Sequence, residues 1–292
     1  MKTIQSLVIL AGGASSRMKR SMAEANKHLS PEEIAQANER SKGLIKLGDS
    51  GYPLIDYLLF NAREAGIKKV VFLTGPNSLP FREHFKGDQN DYHGLETHFA
   101  LQHIPEGRVK PLGTADALVQ TLDQQPWLKK ERFIVCNSDN LYSTEAFSLL
   151  KGTRAPNAFI SYDRDALEFS TERINRFALV KTDTDNYLAD IIEKPTASEA
   201  ALYRDPEGKF RVSMNIFMFS GDQIYPYLVN CPMNPERREK ELPTALLNMV
   251  HDHEQSVLAL PLAEHVPDLT SKEDIAILKK RIRDHYPERL WD

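Results

Sequence analysis

Long apolar segments are missing from this sequence of 292 residues. A helix that crosses a bilayer needs about 20 consecutive apolar residues, and no run in the chain approaches that length. The amino-terminal apolar segment also lacks the small-residue cleavage site of a secretory signal peptide. We therefore expect a soluble protein that neither spans a membrane nor is secreted.

Cysteine is also scarce, with only Cys136 and Cys231 in the chain. Two isolated cysteines can build neither a disulfide framework nor a cysteine-based zinc site. Cys136 stands inside an apolar run, where a free thiol behaves as a small buried hydrophobe. These features favour a reducing compartment, and we predict a cytoplasmic protein.

The chain has no excess of one charge. It carries 37 basic and 41 acidic residues, which give a formal net charge of −4. Nucleic-acid-binding domains and membrane-surface proteins are typically basic, so neither nucleic acid nor a membrane is predicted as a partner. What is present is 41% hydrophobic and 27% charged residues, a composition typical of a globular protein with a substantial core.

Strand-like and helix-like segments alternate along the chain, which is typical of an α/β sheet. The apolar run 7–10 precedes a Gly-Gly pair, which predicts a buried strand that ends in a tight turn. Further strands are predicted at 70–73, 97–101 and 133–136, and the strand pattern dominates from 158 to 219. Helices are predicted at 53–65, 113–125, 241–251 and 271–285.

A polar segment from residue 21 to residue 41 interrupts this alternation. Within it, Ser30, Pro31 and Glu33 have the spacing of a capped helix start. The helix that follows, to about Arg40, has few apolar residues. We therefore predict a helical insertion, which either lies over the functional site or is a solvated surface helix without a role.

Polar groups follow several predicted strands, where open α/β sheets bind their ligands. The turn at Gly12 and Gly13 leaves backbone N–H groups free to cradle phosphate or a base edge, and Gln102 follows the third strand. Asp139 follows the fourth strand, where it can hold Mg²⁺ together with substrate phosphates or make an Asx turn. Asp268, just before a helix start, is the second candidate metal ligand, with a turn role as the alternative.

Basic side chains complete the candidate site. Arg17 has the bidentate geometry that suits phosphate oxygens, and Lys42 or Lys46 could neutralise a phosphoryl group in a transition state. Lys194 follows Glu193 in a Glu-Lys-Pro motif, where lysine would bind a phosphate and glutamate would bind sugar hydroxyls. The alternatives for these residues are solvated charges and an exposed ion pair.

These motifs occur in the same order as in the sugar-1-phosphate nucleotidylyltransferases, which the chain therefore resembles. The similar segments are the Gly-Gly…Arg loop, the lysine motif with its helix, the Gly-Thr-Ala segment, the metal-binding segment and the sugar-phosphate motif, at 10–18, 41–44 with 53–57, 113–118, 137–140 and 193–195. The carboxyl-terminal segments 213–217 and 286–291 are similar to a bacterial branch of this family.

The resemblance implies a Rossmann-like three-layer α/β sandwich with a mixed, mostly parallel central sheet, formed by one domain over residues 1–292. Residues to about 150 would bind the nucleotide, and the remaining residues would bind the sugar. It also implies Mg²⁺-dependent transfer of a nucleotidyl group from an NTP to a sugar 1-phosphate, with a hexose 1-phosphate as the leading hypothesis. The products would be an NDP-sugar and pyrophosphate.

The resemblance assigns roles to individual residues of this sequence. The catalytic residues would be Arg17, Lys42 and Asp139, and the Mg²⁺ ligands would be Asp139 and Asp268. The sugar phosphate would be bound by Glu193, Lys194 and Asn215. The nucleotide would be bound by Leu10, Ala11, Gly12, Gly13, Gln102, Gly113 and Thr114.

Departures from the family's motifs leave other functions open. The segment 14–16 is Ala-Ser-Ser where sugar enzymes commonly have Gly-Thr, which favours an alternative nucleotidyltransferase acting on another phosphorylated or phosphonate acceptor. Ala178 and Asn215 stand where relatives commonly have glycine, so the sugar stays open, as do the base and the oligomeric state, a homo-oligomer included. A non-catalytic binding or regulatory module on this fold is the alternative from another class.

Overall fold

The structure is a computed structural model that describes residues 4–13, 18–19, 29–47, 50–87, 90–175, 177–193 and 195–291. These residues form a ten-stranded sheet. Its strands are β1 (Ser6–Ala11), β2 (Lys69–Thr74), β3 (Asn90–Tyr92), β4 (Leu95–Leu101), β5 (Arg132–Asn137), β6 (Ala158–Asp163), β7 (Leu179–Thr182), β8 (Leu188–Ile192), β9 (Arg211–Ser220) and β10 (Leu258–Leu262).

Most strands of this sheet run in one direction. The order across the sheet is β10-β6-β9-β5-β1-β2-β4-β3. The strand β1 pairs in parallel with β2 and β5, β2 with β4, and β6 with β10. The strand β9 is antiparallel to both β5 and β6, β3 is antiparallel to β4, and the antiparallel pair β7–β8 joins the sheet through β9. The predicted mixed, mostly parallel sheet is confirmed.

Helices cover both faces of the sheet. They are α1 (Pro31–Glu39), α2 (Leu54–Glu64), α3 (Leu79–Phe85), α4 (Thr114–Gln124), α5 (Thr144–Gly152), α6 (Thr171–Ile174), α7 (Ala197–Ala201), α8 (Gly221–Val229), α9 (Leu242–Asp252) and α10 (Glu273–His285). Because side chains alternate along a strand, Leu7 and Ile9 enter the core beneath α2, α5 and α10, whereas Val8 enters the core beneath α4, α8 and α9. The predicted three-layer sandwich follows from this alternation.

Two elements that the sequence pattern did not predict contain proline. Pro261 lies in β10, which pairs with β6 at the edge of the sheet, where a missing N–H is tolerated. Pro226 lies inside α8. The strands predicted at 70–73, 97–101 and 133–136 are β2, β4 and β5, and the four predicted helices are α2, α4, α9 and α10.

The capped helix predicted within the insertion is α1. The N–H of Glu33 donates to the Ser30 hydroxyl (3.3 Å), and the N–H of Ser30 donates to the Glu33 carboxylate (2.7 Å). Lys279 of α10 donates to the same carboxylate (2.7 Å), so the helix is fastened to the carboxyl-terminal helix. Residues 21–28 of the insertion lie outside the described residues.

Both cysteines are free and buried, and burial was predicted for Cys136. Burial raises the pKa of the Cys136 thiol, which keeps that thiol protonated and unreactive. Within the part of the chain that the structure describes, no helix has both the length and the apolar character needed to cross a membrane.

Candidate active site

The candidate site forms where β1 and β5 end side by side in the middle of the sheet. Leu10 of β1 pairs with Asn137 of β5, and the N–H of Ser138 donates to the carbonyl of Leu10 (3.2 Å). The turn at 12–13 and Asp139 therefore leave the same edge of the sheet next to each other, as expected for the carboxyl ends of parallel strands.

A cavity of about 430 Å³ lies over these strand ends. Its volume falls in the range of small-molecule sites. The lining includes every residue that the sequence analysis assigned to the nucleotide, namely Leu10, Ala11, Gly12, Gly13, Gln102, Gly113 and Thr114. The fold thus brings three separate sequence segments together as one surface.

Gln102 connects two glycine turns within this cavity. Its side chain is buried, its amide Nε2 donates to the carbonyl of Gly113 (3.5 Å), and its Oε1 would collide with a β-carbon at Gly12. Gly113 has a φ of 115°, and a β-carbon there would collide with the backbone of Lys240. Glycine is therefore needed at position 113 for both conformation and space, whereas a side chain at position 12 would displace the amide of Gln102.

Lys42 and Asp139 form an ion pair at the edge of the cavity. The Nζ of Lys42 lies 2.9 Å from Oδ2 of Asp139, and Lys42 is only 9% exposed. Lys42 opens a short 3₁₀ turn that packs on β5, since a β-carbon at Gly43 would lie 3.2 Å from the carbonyl oxygen of Ser138. The ammonium group is thus held beside the aspartate by the packing of its own turn.

The segment that carries Asp268 runs next to the segment that carries Asp139. The N–H of Leu269 donates to the carbonyl of Asp139 (2.8 Å), and Asn140 forms a β-bridge with Asp268. Burial, and then the negative charge of Asp139, raise the pKa of Asp268. The two carboxylates are therefore close enough to repel each other.

These two carboxylates have the chemistry of Mg²⁺ ligands. Carboxylate oxygens are hard donors. A divalent cation would neutralise the negative charges of Asp139 and Asp268 and relieve the repulsion between them. Among the described residues, no group of three or more histidine, cysteine or acidic side chains could hold a metal. Two carboxylates nevertheless fit Mg²⁺, which commonly takes its other ligands from water and substrate phosphates.

A second cavity, of about 750 Å³, adjoins the first. The residues shared at the border are Thr114, Asn137, Asp139 and Glu241. The second cavity is lined by Glu193, Asn215 and Asp268, which were predicted to bind the sugar phosphate or the metal, and by Ala178. The predicted site residues Arg17 and Lys194 lie outside the described residues.

Asn215 stands at an irregularity of β9. Its φ is 60°, and the register between β6 and β9 shifts between Phe159 and Ser161. The N–H of Asn215 donates to the hydroxyl of Ser213 (3.2 Å). Glycine and asparagine adopt this left-handed conformation most readily, which gives a backbone reason for asparagine where relatives commonly have glycine.

Two arginines that the sequence analysis did not single out bridge the acidic residues of the second cavity. Arg237 contacts Glu193 (2.5 Å) and Glu241 (2.6 Å) through separate nitrogens. Arg173 contacts Asp268 in the same way (2.8 Å). No local motif identifies such residues, because their partners come from distant segments, 44 residues away for Arg237–Glu193 and 95 for Arg173–Asp268.

Comparison with known proteins gives a family and a fold. The chain matches the nucleotidyl transferase family model over residues 37–264. It is 23% identical over 235 residues to a glucose-1-phosphate adenylyltransferase from Koribacter versatilis (strain Ellin345), covering 79% of this chain and 52% of the relative, so it spans about half of that relative's length. A solved UDP-glucose pyrophosphorylase complexed with UDP-glucose is similar with a TM-score of 0.67 and 16% identity, over 96% of this chain and 99% of that one.

The structural similarity, at this identity, shows the fold and confirms the predicted Rossmann-like sandwich. The family model covers well over half of the chain and confirms the resemblance that the ordered motifs indicated. The chain belongs to the nucleotidyl transferase family.

Proposed function

We propose that this chain transfers a nucleotidyl group from an NTP to a sugar 1-phosphate, a hexose 1-phosphate being the first candidate. The observation that carries the proposal is the Lys42–Asp139 pair, which lies with Asp268 at the border of two adjoining cavities of about 430 and 750 Å³. A nucleotide in the first cavity and a sugar phosphate in the second would meet at this border. The names of the two similar proteins, which include glucose 1-phosphate and UDP-glucose, support this substrate class.

The reaction is an in-line displacement at the α-phosphorus of the NTP. A phosphate oxygen of the sugar phosphate forms the new P–O bond, and the bond to the leaving pyrophosphate breaks, with no proton transferred. Such a reaction depends on positioning and charge neutralisation rather than on covalent catalysis. Lys42, held beside Asp139, would neutralise charge on the α-phosphate, Arg17 would bind the pyrophosphate, and Glu193 with Lys194 would bind the sugar phosphate.

Asp139 and Asp268 would hold Mg²⁺, which when bound supplies positive charge to the reacting phosphates. Lys42 contacts Oδ2 of Asp139, and Arg173 contacts Oδ2 of Asp268, so each carboxylate keeps a second oxygen away from its basic partner. A β-carbon at Gly13 would meet no atom of the described residues within 4 Å. Among those residues the turn is open on that side, as a backbone cradle for a phosphate or base edge requires.

We also propose that the protein acts in a reducing compartment, the cytoplasm, since both of its cysteines are free and buried. Its small-molecule partners would be the NTP and the sugar 1-phosphate. Whether two or more copies associate would be determined by ultracentrifugation of the full chain.

Pyrophosphate release in the presence of Mg²⁺, measured over a grid of NTPs and sugar 1-phosphates, tests this function. We expect strong release for one combination, which would identify the base and the sugar together, and loss of release when EDTA removes the metal. In Asp139→Asn, which keeps the volume but removes the charge, we expect kcat to fall at least about 100-fold. Near-normal turnover in this variant would contradict the metal role of Asp139.

Calorimetry with each NTP separates the remaining outcomes. Nucleotide binding without release anywhere on the grid would indicate an enzyme for another phosphorylated or phosphonate acceptor. Failure to bind any NTP would indicate a non-catalytic module on this fold.

A further inference from the structure

An arginine joins two segments at the wall of the 750 Å³ cavity. Arg173 belongs to the short helix α6, between β6 and β7, whereas Asp268 lies in the segment before α10 and Asp274 lies in the first turn of α10. From this juxtaposition, and on the basis of the proposed function, we infer that Arg173 is a positioning residue that orients Asp268 for the divalent cation.

The guanidinium of Arg173 bridges the two aspartates with separate nitrogens. Nη2 donates to Oδ2 of Asp268 (2.8 Å) and Nη1 donates to Oδ1 of Asp274 (2.7 Å). The side chains are 25%, 15% and 8% exposed for Arg173, Asp268 and Asp274. Because these side chains are largely withdrawn from solvent, salt screens their charges less than it screens surface pairs. The guanidinium is planar and contacts one carboxylate with each terminal nitrogen, so it fixes the direction of both carboxylates.

Asp274 is the fixed end of this bridge. Its Oδ2 accepts the backbone N–H groups of Thr270 (2.8 Å) and Ser271 (2.7 Å), while Oδ1 accepts Arg173. Both oxygens are thus occupied, so Asp274 anchors the arginine and is not itself a candidate metal ligand. The backbone that follows Asp268 is held by the same carboxylate.

Asp268 is held less completely than Asp274, because its Oδ1 is contacted by one hydroxyl rather than by backbone N–H groups or by an arginine. Arg173 contacts Oδ2, and the hydroxyl of Thr270 lies 2.9 Å from Oδ1 and 2.8 Å from Oδ2. Asp139 is arranged similarly: Lys42 contacts Oδ2, and within the described chain no hydrogen bond reaches Oδ1. In each carboxylate one oxygen contacts a basic side chain and the other oxygen does not. The second oxygen is thus available to a cation that takes only one or two protein carboxylates.

Two other roles for Arg173 make different predictions. As a phosphate-binding residue it would need free donors toward the cavity, yet its two terminal nitrogens are already directed at carboxylates. As a competitor for Asp268 it would weaken metal binding, so that its removal would strengthen the binding. A positioning residue outside the ligand set has the opposite effect, since the loss of such partners typically weakens metal affinity about 10- to 100-fold.

Mn²⁺ binding to the full chain, followed by electron paramagnetic resonance without substrates, separates these roles. We expect R173Q to weaken Mn²⁺ affinity about tenfold or more. We expect R173K to recover part of this loss, because lysine keeps the charge but not the fork. The matched control is R281Q, since Arg281 contacts Glu168 of the loop that precedes α6 (3.8 Å), and we expect its Mn²⁺ affinity to equal that of the wild type.

Tighter Mn²⁺ binding in R173Q, or unchanged binding in a folded variant with a lower melting temperature, would overturn the inference. If R173Q does not fold, D274N serves instead, since it releases the anchored end of the guanidinium and leaves Asp268 intact. We expect weaker Mn²⁺ binding there too, and unchanged affinity would overturn the inference.

The wild-type chain distinguishes this inference from the proposed function. Wild-type Mn²⁺ binding that Asp139→Asn abolishes, with no effect of the Arg173 and Asp274 variants, would overturn the positioning role alone. Absence of Mn²⁺ binding to the wild type would overturn both the positioning role and the metal role of the aspartates, while the pyrophosphate assay would still decide the transferase activity.

Discussion

Lys42 and Lys46 are four residues apart, but the structure gives them different surroundings. Lys42 is 9% exposed and paired with Asp139 at the edge of the 430 Å³ cavity, whereas Lys46 is exposed and lines a neighbouring cavity of about 1020 Å³ that shares Ala11, Gly12 and Gly13 with the first. The residues by themselves left the choice between these lysines open, and the resemblance assigned the role to Lys42. Lys42 contacts Asp139, 97 residues away, which supports that assignment.

We expect Lys42→Ala to lower kcat about 100-fold or more, because the transition state loses a preorganised positive charge. Lys46→Ala is the matched control, and we expect its kcat to stay within about twofold of wild type, as usual for an exposed charge. Steady-state pyrophosphate release measures both, with a thermal melt to show that each variant is folded. Equal losses in the two variants would contradict the assignment.

At Asn215 the backbone conformation limits which residue types fit without strain. Because its φ is 60°, a residue with an ordinary side chain would be strained, so we expect Asn215→Ala to lower the free energy of unfolding by about 1 kcal/mol. Asn215→Gly should leave it nearly unchanged, since glycine adopts this conformation without cost to the folded backbone. Urea unfolding measures both variants, and a glycine variant that is less stable than the alanine variant would contradict this explanation.

At the scale of elements, the start of α4 and the segment before α9 support each other at the border of the two cavities. The N–H of Ala115 donates to the carbonyl of Lys240 (3.0 Å), and the N–H of Leu242 donates to the hydroxyl of Thr114 (2.9 Å). The N–H of Lys240 in turn donates to the carbonyl of Leu112 (2.5 Å). The two helix starts are therefore one structural unit.

Gly113 allows the start of α4 to lie close to the backbone of Lys240, and the variant Gly113→Ala tests this role. We expect the free energy of unfolding to fall by at least about 2 kcal/mol, because φ is 115° and the new methyl group would collide with the backbone of Lys240. Gly152→Ala is the control, since a β-carbon there meets nothing within 4 Å, and it should be neutral or slightly stabilising. Urea unfolding with matched m-values would measure the difference, and equal stability of the two variants would contradict it.

At the scale of the whole molecule, a half-buried histidine links stability to pH. The Nδ1 of His265 accepts the N–H of Glu168 (3.1 Å), and burial, followed by the charge of Arg281, lowers the pKa of His265 from 6.5 to about 4. The imidazole of His265 therefore takes up a proton near pH 6.5 in the unfolded chain but only near pH 4 in the folded chain. Between these values the unfolded state holds more protons, so stability falls as the pH falls.

We expect the wild type to lose stability between pH 7 and pH 5, and His265→Gln to lose less over the same interval, because glutamine has no charge to gain. His253→Gln, at an exposed position, is the control and should keep the wild-type dependence. Urea unfolding at the two pH values gives the comparison, and an equal loss in wild type and His265→Gln would contradict the role of His265.

Much of the fold follows from the sequence because its determinants are local. The continuous apolar runs 7–10 and 133–136 indicate buried strands, and the residues after them lie at a ligand-binding edge wherever parallel strands end. The Ser30–Glu33 capping box likewise depends on atoms three residues apart. Local patterns placed the 12–13 turn and Asp139 at that edge, and the order of the motifs, through the family resemblance, added the proposed nucleotide contacts.

The start of α10 shows where local chemistry gives way to a distant contact. The sequence predicts a helix from Ser271, and the carboxylate of Asp274 accepts the N–H of Ser271 (2.7 Å). The helix nevertheless begins at Glu273, and Asp274 also binds Arg173, 101 residues away. A sequence window cannot contain such a partner.

By itself, then, the sequence determined the family of folds, the strand ends that carry the site and the acidic and basic residues available there, because periodicity and motif order are local or sequential properties. Only the tertiary structure decided which charges meet. The pairs Lys42–Asp139, Arg173–Asp268 and Arg237–Glu193 depend on the strand order β9-β5-β1 and on the loops it brings together. Hydrophobic burial drives that assembly but is not directional. The ion-pair partners therefore meet only when the sheet and the cores on its two faces have formed.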